Sequence, residues 1–282
     1  AEGTATITIK GKVSTNVSTT CTVTVKKTRV DLTAEQIAAN KEKYYGKVAE
    51  NYTQGGLTYR IFYVDKENKF GDGANTVYLK ADYKDEISLT TDISSLTTDD
   101  IQKFKNMNPK WAAQRGSAQS EWKSNEKGAA WLCAPSQWTT YVDNTKATYA
   151  IGGPSVEMYI ASYNDVPHTE VGNYTLGAEY KNDGGDHGYI YTLNGAQSTI
   201  SNSDYYTGTD SLDYKGYNSM YAGKNGSKTG YWWLASPSSY NSDRVCTVNG
   251  GNAYLYYSNY SYTYGVGPLV SLKSGIPVQV EE

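Results

Sequence analysis

The 282-residue chain is short of the residues that most catalytic chemistry needs. It holds two histidines, His168 and His187, and three cysteines, Cys21, Cys133 and Cys246, set far apart. Neither set has metal-ligand spacing, and an odd number of cysteines leaves one thiol unpaired within a monomer. A basic excess is missing too. Lys+Arg 26 against Asp+Glu 29 gives a net charge of -3 and a pI of about 5.6, which excludes nucleic-acid recognition through a basic surface. No apolar run approaches the roughly 18 residues of a membrane span. A soluble chain is therefore expected, tied to a membrane only through an anchor outside it. Ala1 opens neither a charged n-region nor an apolar h-region, so any signal peptide or anchor is expected to have been removed or never to have been part of this stretch of chain. Phenylalanine is scarce as well, at 3 residues, against 28 tyrosines and 6 tryptophans. A core that needed aromatics only for apolarity would use Phe, so the excess of phenols implies rings kept half wet at a surface.

Two organisational units emerge from the texture of the chain. Residues 4–27 alternate Thr, Val and Ile with polar positions, broken at Ser14 to Ser18, which predicts a β-hairpin or a pair of neighbouring strands. Such a hairpin is marginal alone and is expected to pack on the rest of the chain. From Asp31 a short helix is expected, with Thr33 and Gln36 at capping-box spacing. Strands are expected next at Tyr59–Tyr63 and Val77–Leu79 around a turn at Phe70 to Asn75. Helices are expected over 97–108 and 111–126. Beyond Ala130 helical signals are few, and short strands with long ordered loops are expected. The run Trp131-Leu132-Cys133-Ala134-Pro135-Ser136 is echoed at Trp233-Leu234-Ala235-Ser236-Pro237-Ser238, too few copies for a solenoid.

The most informative stretch lies near the C-terminus. Tyr231-Trp232-Trp233-Leu234-Ala235-Ser236-Pro237 and Gly265-Val266-Gly267-Pro268-Leu269-Val270 form two apolar, strand-like brackets. Between Tyr240 and Tyr264 the chain turns to Tyr, Asn and Ser, with apolar positions at Val245, Val248 and Leu255. Lys, Glu, Gln, Met and Trp are all missing from Leu234 to Leu272.

The brackets, with Tyr44-Tyr45-Gly46-Lys47-Val48, Ile61-Phe62-Tyr63 and the run from Gly152 to Asn164, resemble the C-type-lectin-like domains of bacterial and phage surface proteins. Among these are the variable proteins of diversity-generating retroelements, a group that includes phage tropism determinants. The likeness covers roughly residues 31–275. Gly267 and Ala235 depart from it, since the family commonly has Arg at both. The run Gly3-Thr4-Ala5-Thr6-Ile7 with Cys21-Thr22-Val23-Thr24-Val25 resembles the last two strands of a bacterial group-2 immunoglobulin-like stalk module. The resemblance implies an α+β chain: a C-type-lectin-like domain of the formylglycine-generating-enzyme type over 31–282, with an N-terminal β-hairpin extension over 1–30.

That family further implies a binding module whose C-terminal segment, about 240–264, is rewritten by adenine-directed mutagenesis of Asn codons. Changing both adenines of AAC or AAT never yields Lys, Glu, Gln, Met or Trp, the five residue types missing here. Tyr, Ser, Asn and Gly are also what antibody loops favour, because Tyr buries much area at small entropic cost. The expected ligand-binding residues are Tyr240, Asn241, Ser242, Asp243, Arg244, Thr247, Asn249, Asn252, Tyr254, Tyr256, Tyr257, Asn259, Tyr260, Ser261 and Tyr262. They are expected on one exposed surface, with Val245, Val248 and Leu255 turned inward.

Competing readings are blander or chemical. The Tyr-rich segment could be a hydrophilic strand region half covering a core. Cys246 has no His or second Cys near it in sequence, so catalysis is not expected. Asn182, Asp183, Asp186 and His187 lack EF-hand spacing and read as a solvated turn. Asp204, Asp210 and Asp213 read as loop residues. Asp99 and Asp100 read as helix N-terminal charges rather than a glycosidase pair. The expected function is thus a surface-displayed adhesin or receptor-binding protein without enzymatic activity, metal or cofactor. It would sit at a cell surface or on a phage particle and take a protein or glycan ligand. The alternative is a carbohydrate-binding or carbohydrate-acting protein with a fixed aromatic site.

Overall fold

The computed structural model describes residues 3–13, 16–25, 28–70, 73–82, 84–88, 141, 143–151, 153–166, 174–177, 189–191, 197–202, 218–221, 230–237, 244–250, 254–259 and 262–282. The expected helices over 97–108 and 111–126, the first copy of the Trp-Leu echo and the 182–187 run lie outside these residues. Among them the architecture is α+β and mainly β.

The N-terminal hairpin forms as its alternation predicts, from β1 (Gly3–Lys10) and β2 (Ser18–Val25) in antiparallel register. All sixteen of its strand residues are exposed. The expectation that it packs on the rest of the chain is therefore corrected. The register explains why the hairpin holds an apolar face at all: Ala5, Ile7 and Ile9 lie beside Val23 and Cys21, while Thr4, Thr6, Thr8, Thr20, Thr22 and Thr24 take the other face.

Strand β3 (Arg29–Leu32) pairs with the last strand, β16 (Val278–Glu281). The predicted capping box is present on α1 (Ala34–Ala39). The Gln36 amide donates to Thr33 Oγ1 at 3.3 Å, and the Thr33 amide donates to Gln36 Oε1 at 2.8 Å. A second short helix, α2 (Lys41–Tyr44), comes next. Strands β4 (Tyr59–Asp65) and β5 (Thr76–Ala81) occupy the predicted places. Their connection is held by the fully buried Asp65, whose carboxylate accepts the amides of Lys69 at 2.9 Å and Phe70 at 2.7 Å.

A four-stranded antiparallel sheet runs β4-β5-β15-β7, with β7 at Ala147–Ile151 and β15 at Leu269–Leu272. A five-stranded mixed sheet runs β13-β12-β11-β14-β6. Its strands are β6 (Lys84–Ser88), β11 (Tyr231–Pro237), β12 (Arg244–Asn249), β13 (Tyr254–Asn259) and β14 (Thr263–Val266). The two sheets share a corner. β5 leads to β6 and β14 leads to β15, and the Ala81 amide donates to the Pro268 carbonyl at 2.8 Å where both pairs cross over. A third sheet, β8-β10-β9, comprises Tyr174–Leu176, Gln197–Asn202 and Tyr189–Tyr191.

Helix α3 (Val156–Asp165) is absent from the sequence-based expectation. Its signal is present nonetheless: Val156, Tyr159, Ile160 and Tyr163 recur at helical spacing and are buried, and Ser155 caps it by accepting the Met158 amide at 3.1 Å. The chain entering α3 docks on β11, where Ala235 donates to the Pro154 carbonyl and Val156 donates to Ser236 Oγ, both at 2.9 Å. The bulge in β11 between Trp233 and Pro237 falls at this contact. A last helical turn, α4 (Asn218–Tyr221), comes after β10.

The core overturns the expectation that tyrosines gather at a surface. Tyr52, Tyr59, Tyr78, Tyr159, Tyr163 and Tyr221 are fully or almost fully buried. Burial is tolerable for Tyr52, Tyr59 and Tyr221 because their phenols have hydrogen-bond partners. Tyr52 donates to the Tyr141 carbonyl at 2.9 Å, and Tyr221 shares a 2.7 Å bond with Ser162, which itself donates to the Phe62 carbonyl. Desolvation pushes the Tyr52 phenol up to about 12 and raises those of Tyr59 and Tyr163 as well.

Candidate functional site

The bracket residues behave as the sequence predicts. Trp232, Trp233, Leu234, Val266, Pro268, Leu269 and Val270 are all buried. Trp232 anchors the core side of the five-stranded sheet. Its indole N–H donates to the Tyr221 carbonyl at 3.3 Å, its ring lies 5.8 Å from that of Tyr159, and Lys80 Nζ sits 4.5 Å over it.

Gly267 lies at the corner between the sheets. A Cβ there would come within 2.7 Å of Lys80 Cε and 2.9 Å of its Nζ. The buried cation at this corner is thus Lys80, delivered from β5, and the glycine makes room for it. Lys80 also donates to the Ala81 carbonyl at 3.2 Å, and burial pulls its amine down to about 8.

The candidate segment folds into β12, β13 and the start of β14. Successive residues of an extended strand face opposite ways, and β12 pairs without interruption with β13. Val248 therefore shares a face with Trp232 and Leu255, while Thr247 shares the other with Trp233 and Tyr256. Val245, Val248 and Leu255 are all buried, as expected. Val245 and Val248 nevertheless stand on opposite faces, so β12 is covered on both sides along its middle.

This geometry corrects the expectation of one exposed surface. Thr247 is 0% exposed, between Trp233 and Tyr256 of the flanking strands, and its hydroxyl has no hydrogen-bond partner among the described residues. Arg244 is half-buried and lies on the face opposite Thr247 and Asn249. Tyr254, Tyr257 and Asn259 pair in β13 with Asn249, Cys246 and Arg244. Tyr240, Asn241, Ser242, Asp243, Asn252, Tyr260 and Ser261 lie outside the described residues.

What the structure brings together is a smaller group at the end of the sheet where β11 begins. Asn249 and Tyr256 are half-buried, and Tyr262 is 55% exposed. Two residues that sequence reasoning missed tie them into one cluster. Tyr231 lies 6.4 Å from Tyr256 and 5.1 Å from Tyr264, centroid to centroid, and Tyr264 lies 5.8 Å from Tyr262 and 4.9 Å from Trp233. The Asn249 carboxamide donates to the Tyr231 hydroxyl at 3.5 Å. Desolvation, with the neighbouring Tyr264 and Tyr256 phenols, raises the Tyr231 phenol above its ordinary value. Tyr231 lies before the window and Tyr264 is its last residue, so only strand register brings them together: β11 and β14 run parallel, with Trp232 beside Gly265.

Cys246 is fully buried and Cys21 is exposed. The described surface also holds a cleft of about 280 Å³ between the loops before β5 and after β15. Its ionisable lining residues are Glu35 and Lys273. No group of three His, Cys, Asp or Glu side chains able to hold a metal occurs among the described residues.

Comparison with protein-family models, with curated proteins and with solved structures returned no match.

Proposed function

We propose that the chain is a surface-displayed ligand-binding protein with a C-type-lectin-like fold, and that its segment 240–264 is a diversified binding site. The observation that carries this reading is the accessible end of the five-stranded sheet. Asn249, Tyr256 and Tyr262 come together there, within a segment lacking the five residue types that adenine-directed change of Asn codons never yields.

The physics supports the division of labour. A site that accepts many sequences must be decoupled from the core, because core substitutions commonly cost about 2 to 5 kcal/mol whereas surface ones stay within about 0.5 kcal/mol. The buried Val245, Val248 and Leu255 hold the scaffold, and the reachable Tyr and Asn side chains supply amphipathic contact area. Binding rather than turnover is the proposed role, since Cys246 is sealed from solvent. The protein is assigned to a cell or virion surface, with a ligand on another cell or particle.

The DNA beside the gene tests this. The proposal expects a near-copy of the segment with Asn codons at the diversified positions, next to a reverse transcriptase. Flanking DNA with neither would leave the composition of the segment without this cause and would overturn the diversification.

A further inference from the structure

We infer that Tyr231 and Tyr264 form a constant aromatic anchor, used against a protein ligand by every sequence version of the binding face. The inference rests on the proposed function and names the partner of that site. Neither residue belongs to the candidate positions: Tyr231 opens the first bracket and Tyr264 stands at the end of the segment. Yet the accessible candidates lean on them, Tyr256 and Asn249 on Tyr231, and Tyr262 on Tyr264.

The geometry of the pair sets what it can hold. The rings are stacked at 5.1 Å with 29° between their planes, close to the roughly 4.8 Å between neighbouring strands. They therefore stand side by side, with the Trp233 ring tilted against Tyr264. Rings in mutual contact leave no space for a cation between them, which excludes an aromatic cage. Each covers a face of the other, so the open ring face that a pyranose stacks on is not what this pair offers. Rims and hydroxyls are presented instead, and these suit peptide groups and apolar side chains. The described side chains around the pair, Trp233, Thr247, Asn249, Tyr256 and Tyr262, include no acidic or basic residue. The contribution of the pair itself is therefore nearly indifferent to salt, whatever charges the varied positions bring. Because the pair is already packed, little side-chain entropy is lost on binding.

The test displays the full chain with the candidate positions other than Thr247 randomised by NNC codons. The library is panned separately on pancreatic ribonuclease in its unglycosylated and its glycosylated forms. Binders to the unglycosylated polypeptide are expected, and Tyr231→Ala should weaken each of them by about tenfold or more. Tyr231→Phe, which keeps the stacked ring, should change affinity by less than roughly threefold, and the loss on Tyr231→Ala should be the same within roughly threefold at about 50 and 500 mM NaCl. Where Tyr231→Ala lowers the melting temperature, Tyr231→Leu keeps the bulk and should give the same loss. Folded Tyr231→Ala or Tyr231→Leu variants that retain affinity would overturn the anchor and leave the binding-face reading intact. Binders to the glycosylated form alone would overturn the protein partner. A library that yields no binder to either would overturn the proposed function together with the anchor.

Discussion

At Lys80 a buried ammonium lies on the ring of Trp232 and fills the space that Gly267 leaves open. The folded chain releases this proton near pH 8, and the unfolded chain keeps it to about 10.5. Between those values the unfolded state binds more protons, so stability rises with pH across the window. The buried phenols act in the opposite sense. Tyr45, Tyr59, Tyr63 and Tyr163 are all raised by desolvation, so the folded chain holds protons that unfolded phenols lose from about pH 10, and stability falls above that point. Denaturant melts should show a rise from about pH 8 and then a fall above about pH 10. Lys80→Met should abolish the rise, keep the fall and stabilise the protein at neutral pH by about 1 to 3 kcal/mol. A second residue-scale expectation concerns Thr247. Replacing a buried, unpartnered hydroxyl by a methyl of the same shape is nearly neutral or stabilising, so Thr247→Val should not lower the melting temperature. Thr247→Tyr overpacks the site and should cost about 1 to 3 kcal/mol. That difference marks Thr247 as scaffold rather than binding surface.

Among the elements, α3 and the N-terminal hairpin give opposed expectations. Ser155 caps α3 and is itself buried, so Ser155→Ala should cost about 1 kcal/mol in thermal or denaturant melts. No residue of β1 or β2 is buried, so deleting residues 1–27 should leave the melting temperature within about 2 °C of the parent. The same elements show what is legible in a sequence. The capping box of α1 and the alternation of β1 and β2 are local, and local signals read correctly. The apolar spacing of α3 is equally local but sits in a stretch whose Gly, Ser and Pro neighbours mask it. Whether the hairpin packs depends on what lies against it, which alternation does not encode. The candidate site falls between these cases. Bracket burial is readable from apolar runs, whereas the two-sided covering of β12 and the approach of Tyr231 to Tyr264 depend on the register of strands distant in sequence. Tyrosine count misleads for a related reason: a phenol can enter the core where a carbonyl or hydroxyl from a distant part of the chain lies within reach, as one does for Tyr52 and Tyr221.

Taken as a whole, the molecule separates a tyrosine-rich core from an accessible sheet end through a single five-stranded sheet. Trp232, Val248 and Leu255 face Tyr159 and Tyr221, and Tyr231, Tyr256, Tyr262 and Tyr264 form the cluster on the other side. The central claim is that segment 240–264 combines fixed scaffold positions with positions free to vary. A scan of every NNC-encoded substitution across the segment, read as protease resistance of the displayed full chain, measures this directly. The account predicts that Asn249, Tyr256 and Tyr262 accept nearly all of them with losses within about 0.5 kcal/mol, and that Val245, Cys246, Thr247, Val248 and Leu255 reject the large and charged ones at about 2 kcal/mol or more. Uniform intolerance, with Tyr256 and Tyr262 as costly to replace as Val248, would contradict it and make the segment part of the core.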